Sequence, residues 1–297
     1  MKNLYIGVDV GASKIAAGLV SGGKIIKFIK LPTDAKSNNK KIIENIVKAI
    51  KLVYDPKIKG IGIGFPGEIN SEKGMVLSSP NFTKTFRRIK LRQIISQKFH
   101  HPVAIENDAN CFALAESIYG PGKNSNCVIG LTLGTGIGGG IIINNQIYHG
   151  KDGLAGELGH TTIIQNGKKC SCGQKGHLEA YISGAGIAKT YKQTTGKNIT
   201  VRELIDLINL KDKSVIKTIE LSNEFLADGL ANFINIFNPD MIVLGGGLSK
   251  AQPFVKLAIK KTRSKLIYKQ LATTKIIISR LKDKSGILGA SLLFKCE

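Results

Sequence analysis

The sequence of 297 residues contains no tryptophan and only three methionines, and aromatic residues make up 6% of it. It also lacks an apolar run approaching the roughly 20 residues that a membrane-spanning helix needs. The first residues, "MKNLYIGVDVG", lead directly into a predicted strand, without the basic and then apolar segments of a secretory signal. These absences argue against a membrane or secreted protein and predict a cytoplasmic one, with no membrane partner.

Acidic residues are scarce relative to basic ones, since 21 Asp and Glu stand against 43 Lys and Arg and leave a formal charge of +22. Such an excess is compatible with nucleic-acid binding, with attraction to anionic substrates or with a lysine-rich surface. The lysines are scattered along the chain, and no helix-turn-helix segment precedes the first strand. We therefore expect a solvated basic surface and no specific nucleic-acid partner.

Cysteines are few, and of the five only Cys170 and Cys172 are close together. A disulfide framework is not expected at this length in a cytoplasmic protein. We interpret Cys111, Cys127 and Cys296 as small hydrophobic residues or free thiols.

Strand and helix patterns alternate along the chain, and 42% apolar residues suffice for a substantial core. Two helical faces are predicted, one formed by Ile43, Ile46, Val47 and Ile50 and the other by Ile216, Ile219, Leu226, Leu230, Phe233 and Phe237. The pattern of strands around a glycine-rich turn restarts near Asn126. These features predict an α/β fold with largely parallel strands and two similar halves.

One apolar segment, "VAIENDAN" at residues 103–110, changes abruptly into carboxylates and amides. At the carboxyl end of a strand in an α/β protein, such a cluster is often where ligands bind. Asn107 or Asp108 could also serve as a helix N-cap, which is compatible with ligand binding.

Glycine-rich turns occur in both halves, in "GVDVGASK" at residues 7–14 and in "LTLGTGIGGG" at residues 131–140. Glycine lets backbone amides approach an anion closely. Ser13, Lys14 and Thr135 could add hydroxyl and ammonium donors. Asp9 is well placed to hold Mg²⁺, directly or through water. Neither turn is a P-loop or a dinucleotide-binding fingerprint.

A second cluster lies in "GELGH" and "CSCGQKGHLE". Cys170 and Cys172 flank one residue, a tight turn returns His177 to them, and His160 lies ten positions upstream. Two thiolates and two imidazoles suit tetrahedral Zn²⁺.

In their order along the chain, "DVGASK", "ENDANC", "LGTGIGGG", "GELGH" and "CSCGQKGHLE" resemble the ROK family of sugar kinases and sugar-responsive repressors. The resemblance implies an actin/hexokinase-type ATPase fold, with two α/β domains and a cleft between them. We expect a small domain at residues 1–119, completed by a C-terminal helix at about 285–297, and a large domain at 120–284 that contains a zinc-binding segment at 157–179. The implied ATP-binding residues are Asp9, Gly11, Ala12, Ser13, Lys14, Gly134, Thr135, Gly136, Gly138, Gly245 and Gly246.

The resemblance also assigns the sugar site, with Asp108 as the catalytic base that takes the proton of the reacting hydroxyl. The implied sugar-binding residues are Gly67, Asn81, Asn107, Asp108, Glu157, His160 and Glu179. Related proteins bind zinc through one His and three Cys, and this sequence departs from them with His177 where cysteine is usual. Because all four coordination positions are filled, we expect a structural zinc.

The predicted function is therefore that of an ATP-dependent hexokinase that uses Mg·ATP and acts on glucose. N-acetylglucosamine, N-acetylmannosamine and fructose remain alternative substrates. A non-catalytic, sugar-sensing repressor is the less favoured alternative, because the first strand begins near residue 3 and the phosphate motifs are intact. We also expect a homodimer, and closure of the cleft around a hinge at "GPGKN", near residue 120.

Overall fold

A computed structural model describes residues 3–294 of the chain. Within this range the chain forms two compact units, one of residues 3–124, 140–156 and 281–294 and the other of residues 125–139 and 157–280. The boundaries expected for the two functional domains, at 119/120 and 284/285, remain a prediction. Residues 295–297 of the expected C-terminal helix, including Cys296, lie outside the described residues.

Strands and helices together form the core of each unit. The first seven strands are β1 Leu4–Val10, β2 Lys14–Ser21, β3 Lys24–Pro32, β4 Ile58–Phe65, β5 Glu68–Asn70, β6 Met75–Ser78 and β7 Val103–Asn107. The next five are β8 Cys127–Leu133, β9 Ile137–Ile143, β10 Gln146–Ile147, β11 Met241–Gly245 and β12 Lys275–Ile278. Strands β5 and β6 form a separate two-stranded sheet.

The two five-stranded sheets share one strand order, β3-β2-β1-β4-β7 in the first and β10-β9-β8-β11-β12 in the second. This repeated order confirms the restart predicted near Asn126. In the first sheet, β1 is antiparallel to β2 but parallel to β4. The expectation of largely parallel strands is therefore wrong at the hairpins, because a short glycine turn can join only antiparallel strands.

Nine α-helices lie within residues 3–294, and most of them connect or cover the strands. They are α1 Asn39–Val53, α2 Leu91–Phe99, α3 Asp108–Ile118, α4 Glu179–Ile182, α5 Gly184–Thr195, α6 Val201–Asn209, α7 Lys213–Phe237, α8 Gln252–Thr262 and α9 Ser285–Leu292. None of these helices is long and apolar enough to cross a membrane.

In each predicted helical face, the first residue is wrong and its preceding neighbour is buried instead. On α1 Ile42 is fully buried whereas Ile43 is only partly buried. On α7 Val215 is fully buried whereas Ile216 is 37% exposed. Neighbouring apolar residues fit the helical period equally well, so packing against the rest of the unit decides which of them is covered.

Within the first unit, the backbone of helix α9 packs closely against β4 and α3. A Cβ atom at Gly62 would overlap with the carbonyl oxygen of Ala290, and one at Gly289 would overlap with the carbonyl oxygen of Cys111 on α3. Only glycine permits these approaches. Helix α9 thereby fixes α3, which begins at Asp108, against the first sheet.

Candidate functional site

The junction between β7 and α3 is organised by Asn107, which is the N-cap of the helix. Its side-chain oxygen accepts hydrogen bonds from the amides of Ala109 at 2.8 Å and Asn110 at 3.2 Å. Its side-chain nitrogen donates to the carbonyl oxygen of Gly67 at 3.1 Å. The capping interpretation is therefore correct for Asn107, whereas Asp108 is the first residue of the helix.

Asp108 lies at the carboxyl end of β7, as the sequence predicts. One of its carboxylate oxygens lies 2.9 Å from the amide nitrogen of Ala109. The first turn of a helix favours negative charge, because the peptide dipoles point their positive ends toward it. The position thus suits a negatively charged side chain at the start of α3.

Glu106, directly before this junction, is a buried carboxylate with four hydrogen-bond donors. They are the hydroxyl of Ser71 at 2.9 Å, Nε2 of His149 at 2.7 Å, the amide of Asn107 at 2.7 Å and the side-chain nitrogen of Asn110 at 3.0 Å. Burial by itself would raise the pKa of Glu106, but the interactions with His149, Asn110 and the amide of Asn107 outweigh it and lower that pKa. The hydrogen bond to Glu106 raises the pKa of His149 above 6.5.

Sequence analysis did not identify Ser71 or His149 as partners of this junction. His149 lies 43 positions from Glu106 and Ser71 lies 35 positions from it. No motif spans either pair, and a single histidine before a glycine in "YHG" carries no signal of its own.

Two other residues predicted to bind sugar lie in turns of the first unit. Gly67 has a φ of +104°, and a Cβ atom there would overlap with the carbonyl oxygen of Ser78. Asn81 is exposed in a turn. The hydrogen bond from Asn107 ties Gly67 to the β7–α3 junction, whereas the role of Asn81 stays a prediction.

The first glycine turn joins β1 to β2 and is closed by a 2.9 Å hydrogen bond from the amide of Gly11 to the carbonyl of Lys14. Ala12, Ser13 and Lys14 are exposed. Asp9 lies near the end of β1, and burial raises its pKa to about 6 against the opposing effect of Lys14. A desolvated carboxylate beside an exposed glycine turn fits a divalent cation that accompanies phosphate.

Two further charged residues surround this turn, and the sequence did not indicate them. The ammonium nitrogens of Lys14 and Lys30 lie 3.6 Å and 3.1 Å from the same carboxylate oxygen of Asp283. Because all three side chains are substantially exposed, the cluster presents two cations beside the predicted phosphate turn.

The second glycine turn joins β8 to β9 and is closed by a 2.9 Å hydrogen bond from the amide of Gly134 to the carbonyl of Gly136. A Cβ atom at Gly134 would meet no atom closer than 3.7 Å, so one side of the turn is open. At Gly136 it would lie 2.7 Å from Oε2 of Glu179. The carbonyl of Gly134 accepts from Gly184 at 2.8 Å, and that of Thr135 from Ala185 at 3.3 Å.

The remaining predicted nucleotide-binding glycines lie close to this turn or within its strands. Gly138 is part of β9 and Gly245 is the last residue of β11. Gly246 has a φ of +81°, and a Cβ atom there would overlap with the carbonyl oxygen of Leu133, at the end of β8. The second sheet therefore brings "LGTGIGGG" and "LGGG" together.

All four predicted zinc ligands converge in the second unit. The ligand atoms of His160, Cys170, Cys172 and His177 lie within 4.8 Å of one another. Nδ1 of His160 lies 3.6 Å from the sulfur of Cys170, and Nδ1 of His177 lies 3.2 Å from the sulfur of Cys172. Burial raises the pKa of the Cys170 thiol to about 11. The cluster has the donor set and the compactness of a tetrahedral zinc site.

The predicted sugar-binding carboxylates of this unit differ in exposure. Glu157 is exposed, and its Oε2 lies 3.7 Å from Nε2 of His160, on the side of the ring opposite the thiols. Glu179 is buried and accepts hydrogen bonds from the amide of Ile137 at 2.9 Å and the hydroxyl of Ser171 at 2.5 Å. Glu179 thus connects the second glycine turn to the loop that carries the cysteines.

Two sheets of identical strand order, each with a glycine turn in its hairpin, define an ATPase of the actin/hexokinase type. A ROK family glucokinase from Streptomyces griseus, solved in complex with glucose and AMPPNP, matches with a TM-score of 0.86 at 30% identity, over 98% of this chain and 99% of that one. A ROK hexokinase from Thermus thermophilus matches with a TM-score of 0.86 at 29% identity, over 98% and 97% of the two chains. The predicted fold class is confirmed.

The chain belongs to the ROK family, whose sequence pattern it matches over residues 5–297. It is 32% identical over 307 residues to the glucokinase of Thermotoga maritima, covering 98% of this chain and 96% of the relative. It is 32% identical over 305 residues to the N-acetyl-D-glucosamine kinase of Histophilus somni, covering 98% and 99%. It is 36% identical over 293 residues to the xylose repressor of Bacillus spizizenii, covering 96% of this chain and 75% of the repressor.

Proposed function

We propose that the protein transfers the terminal phosphoryl group of ATP to the 6-hydroxyl of a hexose, with glucose as the first candidate substrate. Its class, an ATP-dependent sugar phosphotransferase, follows from the family and from kinase relatives that align over nearly their whole length. The observation that carries the proposal is the position of Asp108, which begins α3 at the carboxyl end of β7, beside Asn107 and close in sequence to the buried Glu106.

Asp108 is the proposed general base. A sugar hydroxyl is a weak nucleophile, and a carboxylate within hydrogen-bond reach takes its proton as the phosphoryl group moves. Asn107 orients a neighbouring sugar hydroxyl with the hydrogen-bonding capacity left after its bonds to Gly67, Ala109 and Asn110.

The two glycine turns are the proposed phosphate-binding elements. The amides of Gly11 and Gly134 close the turns, and the other backbone amides of the two turns would approach phosphate oxygens. Lys14 adds positive charge. Asp9 would hold Mg²⁺, which neutralises developing charge on the phosphates when it is bound.

Glu157, His160 and Glu179 are the proposed sugar-binding residues of the second unit. Carboxylates accept hydroxyl hydrogens, whereas an imidazole with Nδ1 on a metal donates from Nε2–H to a hydroxyl oxygen. The 3.7 Å separation between Glu157 and His160 lets both contact one polyol. His160, Cys170, Cys172 and His177 would hold a structural zinc, which fixes the loop that carries them. With Nδ1 of His160 directed at the thiols, Nε2 remains for a hydroxyl.

A panel of sugars tests this function. ADP release from Mg·ATP would be followed with glucose, N-acetylglucosamine, N-acetylmannosamine, mannose, fructose and no sugar. We expect turnover that depends on sugar and is fastest with glucose. Preference for N-acetylglucosamine, N-acetylmannosamine or fructose would correct the substrate but keep the class. No turnover on any sugar, with metal bound and the fold intact, would overturn the proposed function.

A non-catalytic sugar sensor is the second candidate, because the chain is 36% identical to a xylose repressor. It predicts binding of xylose or another sugar without ADP release. Binding to DNA at physiological salt separates the candidates further, since charge alone gives salt-sensitive binding that is blind to sequence.

Two expectations about assembly remain proposals, a homodimer in solution and closure of the domains over sugar. Light scattering during gel filtration would give the mass of the assembly. Limited proteolysis with and without the preferred sugar tests closure, and an unchanged cleavage pattern would contradict it.

A further inference from the structure

Glu106 is a buried carboxylate that the proposed reaction does not use, although it lies two positions before the base. Its side chain is 4% exposed. Burying a charge is costly unless it is paired and hydrogen-bonded. The four donors around Glu106 meet that requirement, and their arrangement indicates what the residue does.

Each carboxylate oxygen of Glu106 serves a different part of the first unit. Oε1 accepts from the amide of Asn107 and the side chain of Asn110, both at the start of α3. Oε2 accepts from the hydroxyl of Ser71, in the turn between β5 and β6, and from Nε2 of His149, after β10. The carboxylate therefore bridges the helix start to two loops that are distant in sequence.

We propose that Glu106 and His149 act as positioning residues that hold Asn107 and Asp108 in place for phosphoryl transfer. This inference rests on the proposed kinase function. Neither side chain touches the reacting atoms in this scheme. Their effect passes through the backbone of Asn107 and through Asn110, which lies in the same first turn of α3 as Asp108.

The network extends from Glu106 to the other sugar-site residues of this unit. The backbone amide of Asn107 donates a hydrogen bond to Oε1 of Glu106 at 2.7 Å, and the side chain of Asn107 donates to the carbonyl of Gly67 at 3.1 Å. A shift of Glu106 would thus move Asn107 relative to Gly67. Displacements of about 1 Å in an active site can cost roughly 10²-fold in rate.

His149 anchors the segment of residues 148–156, which precedes Glu157 in the sequence. This segment contains Gly150, Gly153 and Gly156, with φ values of +66°, +80° and +94°. Left-handed glycines give little conformational stiffness of their own. The 2.7 Å contact with Glu106 is therefore a specific restraint on this segment.

His149 and Glu106 are each other's main charged partners, and other charged groups act on them more weakly. Glu72 also acts on His149 and raises its pKa. Asp108 and Glu106 both act on the nearby Cys111 thiol, whose pKa burial raises. The guanidinium of Arg92 binds the carbonyls of Glu72 and Ser71 and so supports the turn that donates to Glu106.

Substitutions at both residues, compared with conservative replacements, test the inference. Glu106→Ala should lower kcat by at least about 10²-fold, with KM for ATP changed much less. Glu106→Gln keeps the shape and one acceptor, so we expect a smaller loss. His149→Gln keeps an N–H donor and should retain more of kcat than His149→Ala. His101→Gln is the matched control, because His101 contacts Tyr54 away from this junction.

Two readouts separate positioning from a merely structural role. In Glu106→Gln, nuclear magnetic resonance should show that the His149 imidazole pKa falls and that the amide of Asn107 exchanges faster. Variants that lose thermal stability but keep the wild-type kcat in the folded state would overturn the inference, as would equal kcat for His149→Gln and His149→Ala.

Failure of the inference and failure of the proposed function give different results. A wild-type protein without sugar-dependent ADP release overturns the proposed function. In that case the exchange of the Asn107 amide still decides whether Glu106 holds the start of α3. An active wild type with fully active Glu106→Ala overturns only the positioning role.

Discussion

Nδ1 of His177 lies 3.2 Å from the sulfur of Cys172, so a histidine occupies the fourth position of the Cys/His cluster. Imidazole nitrogen is an ordinary ligand of zinc and requires no change in the tetrahedral arrangement. The departure from three cysteines therefore leaves a complete donor set.

The first prediction concerns this metal. We expect one zinc per chain in the purified protein. Cys172→Ala should lower the zinc affinity by more than about 10²-fold, because removing a residue that only hydrogen-bonds to a metal ligand already costs about 10- to 100-fold. His177→Cys should keep the metal, whereas His177→Ala should lose it. Metal analysis after gel filtration measures this. Cys127→Ala is the control, and full zinc content in both ligand-to-alanine variants would contradict the assignment.

The second prediction concerns the base. Asp108→Asn should lower kcat by at least about 10²-fold, because an amide cannot take the hydroxyl proton. Thermal stability should change little, since asparagine has nearly the same shape. Steady-state kinetics on the preferred sugar measures the effect. Asp212→Asn makes the same chemical change at the exposed N-cap of α7, where asparagine also caps well. Equal activity of Asp108→Asn and wild type would remove Asp108 from the mechanism.

The third prediction concerns stability against pH. The pKa of His149 is raised in the folded state, so its contribution is complete below 6.5 and lost as pH rises through the raised value. The pKa of Glu106 is lowered, so its contribution is complete above 4.5 and lost as pH falls through the lowered value. The pair therefore stabilises the fold most between pH 4.5 and pH 6.5, where both contributions are complete.

Urea unfolding of the wild type and His149→Gln at about pH 5.5 and about pH 9 tests this window. We expect a difference in the free energy of unfolding of about 1 kcal/mol at the lower pH, a small figure because solvent screens the exposed part of the imidazole. The difference should shrink at the higher pH. If the difference in the free energy of unfolding between the two proteins grew as pH rises, the predicted direction of the pH dependence would be wrong.

The fourth prediction concerns the packing of α9. Gly289→Ala places a Cβ atom against the carbonyl of Cys111, and overpacking of this kind costs about 1–3 kcal/mol or more. Gly247→Ala is the control, because a Cβ atom there meets nothing within 4 Å and its φ is −62°. Thermal unfolding compares the two, and equal stability would show that α9 can move away from α3 without cost.

Much of the candidate site could be predicted because its motifs are contiguous. "ENDAN", the two glycine turns and the Cys/His segment each place their chemistry within a few residues, where the local turn or helix start brings the groups together. The zinc ligands are the clearest example, since Cys170, Cys172 and His177 share one short loop. The two similar halves could also be predicted, because each hairpin repeats the same strand, glycine turn and strand.

The sequence by itself therefore determined the α/β fold with two similar halves, the glycine turns and the local clusters of site residues. Only the tertiary structure decided which distant residues form hydrogen bonds and ion pairs with these site residues. Glu106 meets His149 across 43 positions and Ser71 across 35, and Lys14 shares Asp283 with Lys30. Such pairs depend on how strands and loops pack, and a hydrogen bond between distant residues leaves no periodicity or motif in one sequence. For the same reason the choice between Ile42 and Ile43 as a core residue was made by packing.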